Sequence, residues 1–586
     1  MKSNSLTSLP DGTTRMSLAG TVLLAGMGGF WLIFVHLCWP NHGGWGTDLP
    51  GNLLAWSFVS ALSALFWCIL PGSQRITTHS SLPWLLAGAV LMSLPLLWSP
   101  SSATFYYALP RIAGLWAGLA FLLTLQQCRF SPAQVRFLLY CLTGAGLVEA
   151  VIVLLELYGP NAWLPLTWQK LIHQYARGGV GVFQQVNVTA SFLAMSLSTA
   201  LLLLGMRSAA FASRQAEYVR RGALACTIIL ASAMLTTIYS RTGWLGGMLV
   251  VGGIFIIFTS GRFHEKGQFR WLLILLPVTG IIIGLGLMNL SVFQALETHE
   301  GSNAQRLLTL RYTFVYALQH PFIGHGAGTY EGYYQSWLAS LPGGNPGGEV
   351  MSFPHNELLY QYAEGGLIAL AGALCWCVMY LRLWWKAKTL LQAGALMAML
   401  PVLLHSQLEY PLYFSVPHWL ALLLLLSLAD SPSSDKQISG RNTLSILVHP
   451  LMLMIMLYAS VTSFQAYYSG QTLDKFETNE LTDPEEITSL TVPWVHHLRY
   501  EQDLTLLRLI RFQSNPDKAS LQAFLRENQL WISVHPWAPL YVNQITVLRF
   551  LHQDAEVGRW LMQARLTLPW KPQFQVQSGR QALHSK

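Results

Sequence analysis

The sequence predicts an all-α polytopic membrane protein of about 13 transmembrane helices, with a large outer loop and a helical C-terminal region. Three observations carry this. The 586 residues are 52% hydrophobic and only 11% charged, whereas a soluble domain carries about 25% charge. Apolar stretches recur through residues 1–466, each close to the roughly 20 residues that cross a hydrocarbon core. Residues 467–586 hold 12 Lys or Arg against 12 Asp or Glu, so the formal net charge of +8 belongs to the membrane part. That charge argues for topology and not for nucleic acid.

The expected spans run 17–39, 52–70, 82–98, 108–125, 135–157, 188–205, 222–238, 242–258, 271–290, 358–381, 390–404, 414–429 and 444–466. The first is too long for a cleaved signal and is followed by further spans. The eleventh is short enough to be partly re-entrant. Four regions follow: helices one to nine in 1–290, a large loop in 291–357, helices ten to thirteen in 358–466, and a helical region in 467–586.

Short loops kept in the cytoplasm are enriched in Lys and Arg. With the N-terminus inside, Arg207, Arg214, Arg220, Arg221, Arg262, Lys266, Arg270, Arg382, Lys386 and Lys388 share the inner side, and an odd number of spans puts the C-terminal region outside. All seven cysteines fall in or beside spans, so disulfides are not expected to staple an outer domain. Cys375 and Cys377 are spaced by one residue on a helix and read as packing residues, not as a metal pair.

Four outer segments concentrate the polar chemistry. The first, residues 158–187, ends in Arg177, Gly178, Gly179, Val180, Gly181, Val182, Phe183, Gln184, Gln185, Val186 and Asn187; its glycines allow close backbone approach to a ligand, and its amides bond hydroxyls in both senses. The second is the turn Ser240–Arg241–Thr242–Gly243, where an arginine not explained by the positive-inside rule suits an anion. The third is the long loop, with Arg306, Arg311, His299, His320, His325 and His355, a helical spacing over 303–319 expected to lie on the membrane surface, and a glycine-rich, flexible 341–348. The fourth contains His405 and Glu409, which share a helix face and can hydrogen-bond, then Tyr410 and Pro411.

Taken singly, these segments equally describe a capped helix entry, a headgroup-snorkelling arginine, a wet loop histidine and a structural His–Glu pair. The inferred topology places all four on one side, which suits an anionic lipid-linked ligand and a transfer reaction there. Glu149 and Glu156 lie within span five, where an unpaired carboxylate is costly, so one is expected to face the interior. Few other ionisable residues lie at midplane, which leaves a proton-coupled carrier poorly supplied.

The motifs resemble the O-antigen ligase superfamily, and within it the bacterial protein O-oligosaccharyltransferases, or pilin glycosylation ligases. The resemblance covers roughly 178–411. It rests on Gly181-x-Phe183-x-Gln185-x-Asn187, Ser240–Arg241, Arg306 followed by Pro321 and Gly324–His325–Gly326, His355–Asn356, and His405-x-x-x-Glu409–Tyr410–Pro411. A tryptophan usual in the family four residues after the loop arginine is Leu310 here.

The resemblance implies a GT-C-like membrane fold in a bacterial inner membrane, its active site facing the periplasm, with no metal or cofactor. It implies en bloc transfer of a glycan from an undecaprenyl-diphosphate-linked oligosaccharide to Ser or Thr hydroxyls of exported, pilin-like proteins. Arg241 and Arg306, with Arg311 in reserve, would hold the diphosphate; His355 would take the hydroxyl proton; Gln185, Asn187, Glu409 and Tyr410 would position sugar or acceptor. The nearest alternative is an O-antigen ligase or polymerase acting on lipid A-core or glycan, and the non-enzymatic one is a flippase for the lipid-linked oligosaccharide.

In the C-terminal region, 499–512, 516–528, 540–552 and 555–566 show apolar spacing at three and four. Paired helices of this kind resemble tetratricopeptide-like hairpins without a strict repeat; they are expected to contact the acceptor or cap the site, with a passive stabilising appendage as the equal alternative.

Overall fold

A computed structural model describes residues 17–575, apart from 38, 40, 45, 73–75, 175–177, 264–269, 289–299, 431–442, 480, 482–483 and 491–493. Its regular structure is helical. Among the described residues nine helices are long and apolar enough to cross a membrane, and four shorter apolar helices accompany them; each matches one expected span.

In chain order the helices begin with α1 (Leu18–Leu32), α2 (Pro50–Ile69), α3 (Leu82–Ser93), α4 (Ser102–Gln126), α5 (Pro132–Tyr158), a short α6 (Leu166–Gln174), α7 (Val186–Gly205), α8 (Arg214–Thr237), α9 (Arg241–Thr259) and α10 (Leu272–Leu287). The large loop folds as α11 (Glu300–Ala317) and α12 (Tyr330–Ala339). Then come α13 (Glu357–Lys386), α14 (Leu390–His405), the single turn α15 (Pro411–Phe414), α16 (Val416–Ala429) and α17 (Thr443–Thr478). The chain closes with α18 (Pro484–Thr488), α19 (His497–Ser514), α20 (Lys518–Val534), α21 (Ala538–Phe550) and α22 (Asp554–Thr567).

Local sequence starts these helices as it should. Ser101, Ser131 and Thr389 form capping boxes with Thr104, Gln134 and Gln392, each satisfying first-turn N–H groups that would otherwise lack partners. At the centre stands α7, buried from Val188 to Gly205 and packed by α5, α8, α9 and α14. Its small and hydroxylated residues permit this: Ser196 Oγ donates to Leu142 O at 3.0 Å, and Thr199 bonds Thr143 at 2.9 Å. Hydroxyls that find a partner inside the bundle avoid the desolvation penalty of an apolar medium. The eleventh span is one continuous helix, α14, seated against α7 and α9.

One spanning helix is spliced. Within α13, Gly366 has φ +56° and ψ −152°, which breaks the hydrogen-bond ladder. The loop after α11 replaces the lost partners: His325 and Gly326 N–H donate to Ala363 and Glu364 carbonyls at 3.2 and 2.8 Å, and Leu367 N–H donates to Pro321 O at 2.8 Å. Irregular backbone in a membrane protein persists where other protein backbone satisfies it. Gly324 has φ +67°, and a Cβ there would collide with the Glu364 backbone. The Pro321–Gly328 glycine pattern is therefore a splice.

Two expectations change. The glycine-rich stretch 341–348 is anchored: Asn345 is buried, its N–H bonds Leu566 O at 2.9 Å, and its side-chain amide donates to Gln335 at 2.7 Å and Thr567 O at 3.0 Å. Its glycines let the chain turn tightly into α22, with φ +91° at Gly343 and +82° at Gly344. The boundary at 466 also falls inside α17, which continues to Thr478. Turning polar at Gln471, Asp474 and Lys475 changes a helix's solvent without supplying a stop signal.

The C-terminal helices α19 to α22 pack in sequence, each on the next, around Phe524, Trp531, Tyr541 and Trp560. They dock on α12 and α4. Glu331 of α12, 1% exposed, accepts from Tyr107 Oη at 2.6 Å and pairs with His535. Because Gly332 carries no side chain, the Ser533 backbone lies directly against it.

Candidate functional site

The four polar segments converge at one end of the bundle on Glu409. Its carboxylate, 8% exposed, accepts from Asn187 Nδ2 at 2.7 Å and Arg306 Nη2 at one oxygen, and from Gln185 Nε2 and His405 Nε2, both at 3.2 Å, at the other. Burial pushes the carboxyl up, but His405 first, then Arg306 and Asn187, outweigh it and hold it well down, to about 2. A buried charge with four donors is stable, while deleting one partner of such a pair costs about 3–5 kcal/mol.

Backbone geometry puts each donor in place. Gln185 is the N-cap of α7 and accepts from Val188 N–H at 2.7 Å, so its amide nitrogen is left to face Glu409. Asn187 sits on the first turn, its Oδ1 accepting from Ser240 Oγ at 2.7 Å. Ser240 in turn caps α9 through Gly243 N–H at 3.0 Å. Arg241 is the first residue of α9, half-buried, and donates to no protein group among the described residues.

Sequence reasoning missed what holds the 178–187 turn. Glu156 accepts from Trp168 Nε1 at 2.6 Å, Gly179 N–H at 2.7 Å and Gly181 N–H at 3.1 Å, while Glu149 accepts from Val182 N–H at 3.1 Å. Both carboxyls of α5 are buried, not one. The glycines thus approach side chains of α5, where a ligand contact was expected: at Gly181 φ is +58° and a Cβ would collide with Glu149 Oε1. The clue was present in two acidic residues spaced seven apart in an apolar helix. Arg177 and His299 lie outside the described residues.

His355 precedes α13. Its φ of +59° is left-handed, a conformation that costs a non-glycine residue roughly 1–3 kcal/mol and clusters at functional sites. The turn is clamped: Asn356 caps α13 and donates to Gln407 O at 3.2 Å, and Glu357 N–H donates to Ser406 O at 3.0 Å. The imidazole lies 5.4 Å from the Tyr410 ring, and its buried Nδ1 has no protein partner. Burial, outweighing nearby Glu409, lowers its pKa to about 4, with Arg306 acting in the same direction. A neutral imidazole with an unused nitrogen is competent to accept a proton near pH 7. Tyr410 also lies tilted against Phe353, with ring centroids 4.8 Å apart.

The remaining candidates fall elsewhere. Arg311 is exposed and, five positions after Arg306, lies about 140° around α11 from it, so the structure does not bring it to Glu409. His325 stacks on Tyr316 at 3.8 Å and bonds its carbonyl, a packing position. Among the described residues no group of three or more His, Cys, Asp or Glu side chains is arranged to hold a metal.

One end of the membrane bundle thus gathers a guanidinium, an imidazole whose Nδ1 has no protein partner, and oriented amides. The chain matches a family model described as O-Antigen ligase over residues 226–374, and one described as Virulence factor membrane-bound polymerase, C-terminal, over residues 394–583. Together they support the O-antigen ligase superfamily as the family of this chain, and with it glycan transfer of the ligase or polymerase type. No curated protein matches the sequence.

Proposed function

We propose that the protein transfers a glycan en bloc from an undecaprenyl-diphosphate-linked oligosaccharide to Ser or Thr hydroxyls of exported, pilin-like proteins, on the periplasmic side of a bacterial inner membrane. The observation that carries this reading is His355, held in a strained turn with its Nδ1 unpartnered beside the Arg306–Glu409 pair.

In the proposed step the acceptor oxygen bonds the anomeric carbon while the bond from that carbon to the diphosphate breaks. The bonding pair leaves with the diphosphate, and the hydroxyl proton passes to His355. Arg306 and Arg241 stabilise the charge on the leaving group; preorganised donors are effective where water is excluded. Gln185, Asn187, Glu409 and Tyr410 orient sugar and acceptor.

The two family descriptions favour a second reading, ligation or polymerisation with lipid A-core or glycan as acceptor. Intact mass of a co-expressed pilin-like protein, in cells making a lipid-linked glycan, separates them. A glycan-sized gain with wild type but not with His355→Ala supports protein glycosylation. No gain on any protein, with glycan appearing on lipid A-core, assigns the second reading.

A further inference from the structure

We propose that His405 is a positioning residue: it sets the Glu409 carboxylate and, through it, the Arg306 guanidinium that receives the diphosphate. This rests on the donor reading above.

Glu409 lies beyond the end of α14, in a turn, and its orientation there needs a tether. His405, the last residue of α14 and 0% exposed, supplies one. Its Nε2 is 3.2 Å from Glu409 Oε2 and its Nδ1 is 2.9 Å from Ser191 Oγ. An ionised carboxylate only accepts, so Nε2 carries a proton.

The inner end of this chain is anchored on two further helices. Ser191 of α7 lies 3.0 Å from Val188 O and 3.3 Å from His418 Nε2. His418 Nε2 is 3.0 Å from that same carbonyl and therefore donates, leaving Nδ1 to accept from Ser415 Oγ at 2.7 Å. Ser191, Ser415 and His418 are all fully buried. With its far side fixed from α7 and α16, the His405 ring is held against swinging away from Glu409.

A self-contained packing feature would close on itself. Among the described residues this chain opens at Glu409, whose other partners are Arg306, Asn187 and Gln185, and Arg306 retains 30% of its side-chain surface exposed. Buried polar chains are often replaceable by apolar residues without loss of stability, so stability alone does not account for this one. A function in aiming the outer end does.

The test is a double-mutant cycle on the full-length protein in nanodiscs, titrating undecaprenyl diphosphate. His405→Ala is expected to weaken binding about tenfold, the scale of coupling between directly bonded groups. His405→Gln places an amide N–H near the Nε2 position and is expected to stay within about twofold of wild type. His405→Ala in a Glu409→Gln background should add no further loss. Additive losses, or a His405→Gln protein as weak as His405→Ala at equal thermal stability, overturn the proposal. If wild type itself binds no undecaprenyl diphosphate, the donor reading fails, and a structure of His405→Ala decides the positioning role: Glu409 turned away from Arg306 supports it, and Glu409 unmoved overturns it.

Discussion

Glu331 and His535 face each other across the junction between the large loop and the C-terminal helices, the carboxylate buried and the imidazole about one-third exposed. Each shifts the other: nearby Glu331 raises His535 despite burial, and His535 is the leading cause that lowers Glu331 against its own burial. The histidine's contribution is complete below its ordinary value near 6.5 and is lost as pH rises through the raised value. The glutamate's is complete above its ordinary value near 4.5 and is lost as pH falls through the lowered one. Docking of the C-terminal helices is therefore expected to be firmest between these two values and to loosen on the alkaline side. Limited proteolysis across pH measures this, and His535→Gln should flatten the alkaline limb at a cost of about 1 kcal/mol.

His355→Asn separates backbone from chemistry. Asparagine tolerates the left-handed region better than other side chains, so the protein should fold while transfer drops about 10²–10⁴-fold. For wild type the base must be neutral, so activity should persist through pH 6.5 and fall only as pH drops toward about 4. An acid limb in kcat/KM that persists unchanged in the residual activity of His355→Asn would remove His355 from the role of base.

The Arg241 side chain makes no hydrogen bond to the protein among the described residues. Arg241→Ala should therefore leave thermal stability within about 0.5 kcal/mol of wild type while raising the KM for the lipid-linked donor. Equal KM values would take Arg241 out of the diphosphate site.

Gly181→Ala meets both a positive φ and the Glu149 carboxylate. The expected cost exceeds about 1 kcal/mol, read as a lower melting temperature. Loss of transfer should accompany it, because the 178–187 turn carries Gln185 and Asn187 to Glu409.

The bundle and its C-terminal helices were legible in the sequence because apolar length and three-to-four spacing are local properties, and the bilayer leaves helices as the way for such segments to satisfy their backbone. Gln185, Asn187, Arg306, His355 and Glu409 were likewise legible as candidates, through residue type and through the resemblance of their motifs. The hub was not. Glu409 accepts from Arg306 across 103 positions and from Asn187 across 222, and no local pattern encodes a contact so distant. The same applies to Ser191 and His418 behind His405, to Glu149 and Glu156 under the glycine turn, and to the Pro321–Gly328 segment filling the break at Gly366. Sequence alone determined which segments enter the membrane and which residue types gather at one end. Tertiary packing decided which of them touch, because a buried polar group takes whichever partner the fold brings within hydrogen-bonding reach.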